Sequence, residues 1–169
     1  MSAASGPALP VLAGGYDPPM GAPPTLDRIS DVVGNTPLVR LPERLVGGGA
    51  KVFAKLEFLN PMGSIKDRLA RYLVDRALAD GRLTAGGTLV EASSGNTAMG
   101  LAMMAAERGL ACKMVVRRQT SGEKLASLRA MGVELVLVDG ELPPEHPESY
   151  NRKARQVAAT TGAKFALHH

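Results

Sequence analysis

The sequence predicts an α/β fold in which a parallel sheet lies between flanking helices in three layers, preceded by a flexible tail. Strand-like and helix-like segments alternate through the second half, and a glycine follows each helix. The 169 residues are 45% hydrophobic and 21% charged, as in a globular protein with a sizeable core. Residues 1–24 are rich in Ala, Gly and Pro, so they bury too little apolar surface to offset their ordering entropy.

Residues 25–87 are predicted to form a strand pair and one helix. A helical turn at 27–33 precedes a strand at 37–41, and residues 51–57 alternate polar and apolar side chains as a half-buried strand does. These two strands can pair with each other. Apolar residues then recur at helical spacing from Lys66 onward, and Gly81 ends that helix.

Residues 88–169 are predicted to form a small parallel α/β domain. Its strands are expected at 88–92, 112–116, 134–138 and 164–167, and its helices at 96–108, 121–131 and 149–161. In such sheets ligands bind at the carboxyl ends of the strands. The loops at 93–97 and 117–120 are therefore the predicted positions of a site. Arg117 and Arg118 either attract an acidic group there or belong to a solvated loop.

Composition argues against several classes of function. The 20 basic and 16 acidic residues are spread along the chain, and three Phe, three Tyr and no Trp offer few stacking surfaces, so no nucleic-acid partner is expected. No membrane span or signal peptide is found, and the single cysteine, Cys112, fits a reducing compartment. A cytoplasmic protein is predicted. No cluster has metal-ligand spacing, so no metal is expected.

Lys66 is the first candidate for covalent chemistry. It lies in the run Asn-Pro-Met-Gly-Ser-Ile-Lys-Asp-Arg at 60–68, where a turn delivers it to the start of a helix. The positive end of the helix dipole opposes the charge of a lysine there, which favours a neutral, reactive amine. The alternative is that Lys66 and Asp67 belong to a solvated charged face.

The loop Ser93-Ser94-Gly95-Asn96-Thr97 is the second candidate, because it places hydroxyl groups and a glycine at a helix N-terminus. Free backbone N–H groups and the helix dipole bind anions at such a position, and Gly95 allows a ligand to approach the backbone. A carboxylate or a phosphate is the expected guest. The alternative is that Ser94 or Asn96 merely caps the helix.

Four blocks of this sequence resemble the N-terminal part of the cysteine synthase and cystathionine β-synthase family, the fold type II enzymes that depend on pyridoxal phosphate. They are residues 29–41 with Gly-Asn-Thr-Pro-Leu, 55–68 around Lys66, 91–102 around the Ser-Ser-Gly-Asn-Thr loop, and 128–139 with Ala-Met-Gly-Val-Glu. The resemblance extends from about residue 27 to the end of the chain. It leaves only the tail outside.

The resemblance implies β-replacement on serine or an O-activated serine, with an amino acid as substrate. In this family the lysine matching Lys66 binds pyridoxal 5′-phosphate as a Schiff base and then moves the substrate α-proton. The asparagine matching Asn96 bonds the phenolic oxygen of the cofactor. The positions of Ser93, Ser94, Gly95 and Thr97 hold the substrate carboxylate. Whether the parent activity is that of a cysteine synthase or of a cystathionine β-synthase stays open.

The resemblance also implies an alternative, since family members are roughly twice as long and carry a glycine-rich phosphate loop that has no counterpart here. The chain is then a truncated or split, catalytically incomplete fragment that supplies half of a cofactor site or acts as an interaction subunit. Its expected partner is a second copy in a dimer or a complementary C-terminal chain. His168 and His169 either replace a glutamine that holds the substrate carboxylate or are the remnant of a tag.

Overall fold

The structure, a computed structural model, describes residues 25–47, 49–140, 142–143, 145–163 and 165–166. The predicted flexible tail at 1–24 and the two expectations for His168 and His169 lie outside these residues. The elements are, in chain order, a 3-10 helix Ile29–Val32, β1 Leu38–Arg40, α1 Glu43–Val46, β2 Phe53–Lys55, a 3-10 helix Glu57–Leu59, α2 Lys66–Ala79, β3 Thr88–Ala92, α3 Asn96–Glu107, β4 Ala111–Arg117, α4 Gly122–Ala130, β5 Glu134–Val138, α5 Tyr150–Thr160 and β6 Phe165–Ala166.

The first two strands pair in antiparallel fashion, as the sequence allows, with Val39 opposite Ala54. The strand expected at 51–57 is shorter than predicted. The N–H of Leu56 bonds the carbonyl of Pro37 at 3.0 Å, and the chain then turns into the 3-10 helix Glu57–Leu59. Helix α1 was not predicted, because four residues without a buried side chain leave no apolar periodicity to detect.

Four parallel strands form the central sheet in the order β5-β4-β3-β6, which confirms the predicted α/β class. Alternate side chains of β3 enter opposite layers, since Leu89 belongs to the core with α2, α3 and α4, whereas Val90 belongs to the core with α5. The sheet therefore lies between two helical layers. The domain boundary predicted between residues 87 and 88 stays a prediction. Helices α2 and α3, which lie on either side of it in the sequence, contribute side chains to one apolar core.

Helices α2 and α3 run in the same direction. Gly100 of α3 faces Asp67 and Ala70 of α2, and a Cβ added at Gly100 would lie 3.0 Å from the Cβ of Ala70. Further along both helices, Arg108 Nη2 bonds Asp75 Oδ1 at 2.9 Å. The contacts of Gly100 with Asp67 and of Arg108 with Asp75 both join residues 33 positions apart in sequence. The N-termini of α2 and α3 therefore lie at the same end of the pair.

Candidate active site at two helix N-termini

Lys66 is the first residue of α2, and its backbone N–H donates to Ser64 Oγ at 3.1 Å. Its side chain is exposed. Within the part of the chain that the structure describes, the Lys66 amine makes no hydrogen bond or ion pair. Because side chains tilt toward the N-terminus of their helix, this amine extends beyond the start of α2 and is available to a ligand.

Asp67 does not belong to a solvated charged face, so the alternative is wrong for Asp67, whereas the exposure of Lys66 agrees with it. It is fully buried, and its Oδ2 accepts a hydrogen bond from the Met62 N–H at 2.6 Å. Burial raises the pKa of this carboxyl group. Asp67 thereby ties the Asn-Pro-Met-Gly turn to the helix that carries Lys66.

A polar network that the sequence did not indicate fixes the same turn from the other side. Arg68 Nε donates to Glu57 Oε2 at 2.8 Å, and Asn60 Nδ2 donates to the same oxygen at 2.9 Å. Asn60 Oδ1 in turn accepts the N–H of Gly34 at 2.9 Å, which joins the Gly-Asn-Thr-Pro-Leu block to the Lys66 block. The hydrogen bond from Arg68, with those from Asn60 and Thr36, lowers the pKa of Glu57 to about 2, although desolvation opposes the shift.

The second candidate segment, Ser93–Thr97, enters α3. Asn96 is the first helical residue and is exposed, and the other four residues are partly buried. Among the described residues no side chain caps this helix, so the alternative that Ser94 or Asn96 is only a cap is not observed. A Cβ added at Gly95 would meet nothing within 4 Å. The space beside Gly95 at the start of α3 is therefore open, as an anion site requires.

The parallel helices bring the two candidate segments together. The Lys66 carbonyl oxygen lies 3.3 Å from the position that a Cβ on Gly100 would take. Asn96 precedes Gly100 by one helical turn, which is about 6 Å of rise. The loop therefore extends about one turn beyond the backbone of Lys66, on the side toward which the lysine side chain points.

Two further residues, Tyr150 and Arg117, reach this edge of the sheet. Burial raises the pKa of the Tyr150 hydroxyl, and the neighbouring polar groups of Ser94 and the charge of Arg117 partly offset this rise. The Arg117 guanidinium carbon lies 5.2 Å from the centre of the Tyr150 ring. Arg118 pairs instead with Asp139 at 3.1 Å. Sequence reasoning missed Tyr150, since 56 residues separate it from Ser94.

This arrangement fits pyridoxal phosphate on its ring side. It offers one unpartnered amine for an aldehyde, one exposed amide side chain, and a loop of hydroxyl and N–H donors for a carboxylate. Within the described residues no group of three or more His, Cys, Asp or Glu side chains could hold a metal ion. The helices that the structure describes include none that could cross a membrane.

Comparison with known proteins agrees with this chemistry. The family model described as pyridoxal-phosphate dependent enzyme matches residues 29–169. An N-(2-amino-2-carboxyethyl)-L-glutamate synthase of Ralstonia nicotianae is 49% identical over 104 residues, covering 62% of this chain and 31% of that protein. A cysteine synthase of Staphylococcus aureus is 39% identical over 137 residues, covering 81% of this chain and 43% of that protein.

A solved structure of O-ureido-L-serine synthase superposes with a TM-score of 0.74 at 39% identity, covering 85% of this chain and 44% of that one. The chain spans about 40% of the length of the curated relatives that it matches.

Proposed function

We propose, because this chain belongs to the fold type II family of pyridoxal-phosphate dependent enzymes, that its protein catalyses β-replacement on serine or an O-activated serine. The relatives named above make cysteine, O-ureido-L-serine or an amino-carboxyethyl derivative of glutamate. Each of these products carries a new substituent on the β-carbon of an alanine unit. This shared chemistry supports the reaction class. Enzymes of this class differ in the nucleophile that they use, and some make cysteine whereas others make cystathionine.

Lys66 has two proposed roles. Its Nζ would hold pyridoxal phosphate covalently, and the same amine would move the proton at the substrate α-carbon. The bound cofactor supplies an electron sink for the carbanion. Support comes from the exposure of the Lys66 amine at the start of α2, without a partner among the described residues.

The loop at 93–97 has the complementary role. Asn96 donates to the phenolic oxygen of the cofactor, while Ser93, Ser94, Gly95 and Thr97 hold the substrate carboxylate through hydroxyl and backbone N–H groups. Lys66 and the uncapped loop at 93–97 lie at the common N-terminal end of α2 and α3, and this observation carries the proposal.

Addition of pyridoxal phosphate to the chain tests the proposal. We expect a visible absorption band from the bond to Lys66, and we expect Lys66→Ala to abolish it. Lys124→Ala is the matched control, because Lys124 is also an exposed lysine in the first turn of a helix. The proposal fails if no band forms, or if the two variants behave alike.

The cradle for the cofactor phosphate is, we propose, supplied by polypeptide outside these 169 residues, either in the same protein or in a complementary chain. Residues 38–72 expose many large apolar side chains, which a partner surface would cover: Leu38, Val39, Leu45, Val52, Phe53, Phe58, Leu59, Ile65, Leu69 and Tyr72. A two-stranded sheet such as β1–β2 is also marginal by itself. Light scattering before and after addition of the C-terminal half of a relative tests this, and no change in mass would contradict it.

A further inference from the structure

Asp67 places a buried carboxyl group directly beside Lys66 in the sequence. The residue is 0% exposed, and its Oδ1 lies 3.3 Å from the position that a Cβ on Gly100 of α3 would take. Within the described residues this oxygen has no hydrogen-bond partner. Burying a carboxyl group is unfavourable, and an unpartnered oxygen makes it more so. The stability of the fold therefore does not account for an aspartate at this position.

The other oxygen of this carboxyl group holds the turn that precedes α2. Asp67 Oδ2 accepts the backbone N–H of Met62 at 2.6 Å. Between these two residues, Ser64 accepts two bonds from the start of the helix: the Lys66 N–H bonds its Oγ at 3.1 Å, and the Asp67 N–H bonds its carbonyl oxygen at 3.3 Å. The side chain of Asp67 thereby closes a ring that runs from Met62 to Asp67. Lys66 lies inside this ring.

The ring fixes the direction in which Lys66 leaves the backbone. A lysine amine is carried on a flexible four-carbon stem, so the volume that it can reach depends on the orientation of its own Cα–Cβ bond. Lys66 is exposed and is the first residue of α2, and helix ends fray. The buried carboxyl group of Asp67 is a firm anchor, because it is enclosed between α2 and α3. Its bond to Met62 therefore ties the turn to the same helix pair that carries the loop at 93–97.

We infer that Asp67 is a positioning residue for Lys66, whose buried carboxyl group holds the Met62 N–H and so fixes the turn from which the lysine amine extends. The inference rests on the proposed function of Lys66. Because Asp67 is enclosed between the helices, it acts on the amine only through the turn. A turn that is held before the cofactor arrives lowers the cost of ordering the lysine for its reaction.

Amide hydrogen exchange, measured by NMR on the chain without ligand, tests whether Asp67 holds the turn. In Asp67→Ala we expect the Met62 amide to exchange about fivefold to tenfold faster, the change that loss of one ordinary hydrogen bond produces. The Lys66 amide should also exchange faster, although its own acceptor is kept, because the ring around it is open. Asp67→Asn should restore the protection, since its amide oxygen can accept the same N–H. An unchanged Lys66 amide in Asp67→Ala, or equal exchange in the two variants, would overturn the inference.

Covalent capture of pyridoxal phosphate separates positioning from general support of the fold. Borohydride reduction and mass spectrometry of tryptic peptides give the labelling of Lys66 relative to Lys124 in the same sample. We expect this ratio to fall about tenfold in Asp67→Ala and to stay within about twofold of the unaltered chain in Asp67→Asn. Val74→Ala is the control, because Val74 is fully buried on the same helix. It should lower the urea midpoint and leave the labelling ratio unchanged.

The outcomes distinguish three cases. A labelling ratio that falls equally in Asp67→Ala and Val74→Ala would indicate a merely structural role and would refute the inference. If Lys66 of the unaltered chain is labelled no faster than Lys124, the proposed function fails. The exchange of the Met62 and Lys66 amides then still decides whether Asp67 positions the lysine.

Discussion

Gly100→Ala is expected to destabilise the chain and to disturb the relative position of the two candidate segments. Gly100 lies where α3 crosses closest to α2. A Cβ there would lie 3.0 Å from the Cβ of Ala70, 3.3 Å from Asp67 Oδ1 and 3.3 Å from the Lys66 carbonyl oxygen. The Ala70 Cβ and the Lys66 carbonyl oxygen are fixed by the backbone of α2, so the helices themselves must separate.

The size of the effect follows from two opposed contributions. Alanine in a helix interior is favoured over glycine by about 1 kcal/mol. Overpacking a tight contact costs about 1–3 kcal/mol, and carbon atoms prefer a separation of about 3.5–4.0 Å, well beyond the 3.0 Å found here. We therefore expect the free energy of unfolding to fall by about 1 kcal/mol in Gly100→Ala.

Urea unfolding followed by circular dichroism measures this change. Gly122→Ala is the matched control, because Gly122 is also helical and a Cβ there would meet nothing within 4 Å. The control should be at least as stable as the unaltered chain. If Gly100→Ala is as stable as Gly122→Ala and captures pyridoxal phosphate equally well, the close approach of α2 and α3 does not position the site.

Two other predictions follow from the environments of single side chains. Arg68 and its neighbours hold the pKa of Glu57 at about 2 instead of 4.5, so its ionised form stabilises the fold above about pH 4.5 and this stabilisation is lost as the pH falls toward 2. Glu57→Gln should therefore lower the melting temperature at neutral pH by an amount that shrinks in acid, and a constant difference across thermal scans would contradict this. Burial raises the pKa of Cys112 to about 12, so a disulfide reagent should label the native thiol roughly a thousandfold more slowly than the urea-unfolded chain. Rapid labelling of the native chain would refute this.

The central sheet could be predicted from sequence because its strands are short apolar runs separated by helices with glycine ends. Strands β3 and β5 were predicted with the bounds that the structure has. Such patterns are local, because a strand that is buried on both faces consists of consecutive apolar residues. The resemblance of four short blocks then indicated the family.

Features that depend on distant parts of the chain could not be predicted. The burial of Asp67 requires α3 to pack over it, and a sequence that reads Lys-Asp-Arg gives no sign of that. The bond between Arg68 and Glu57 and the contact between Arg117 and Tyr150 likewise join side chains from different elements. Strand β2 was predicted too long, because alternation continues past Lys55 although the chain turns into a 3-10 helix at Glu57.

The account depends most directly on the identity of the lysine that captures the cofactor. Incubation of the chain with pyridoxal phosphate, reduction with borohydride and mass spectrometry of the tryptic peptides identify that residue. We predict that the pyridoxyl group is found on Lys66. Modification spread evenly over exposed lysines such as Lys124, or absent from Lys66, would contradict the claim that the N-termini of α2 and α3 form the cofactor and substrate side of an active site.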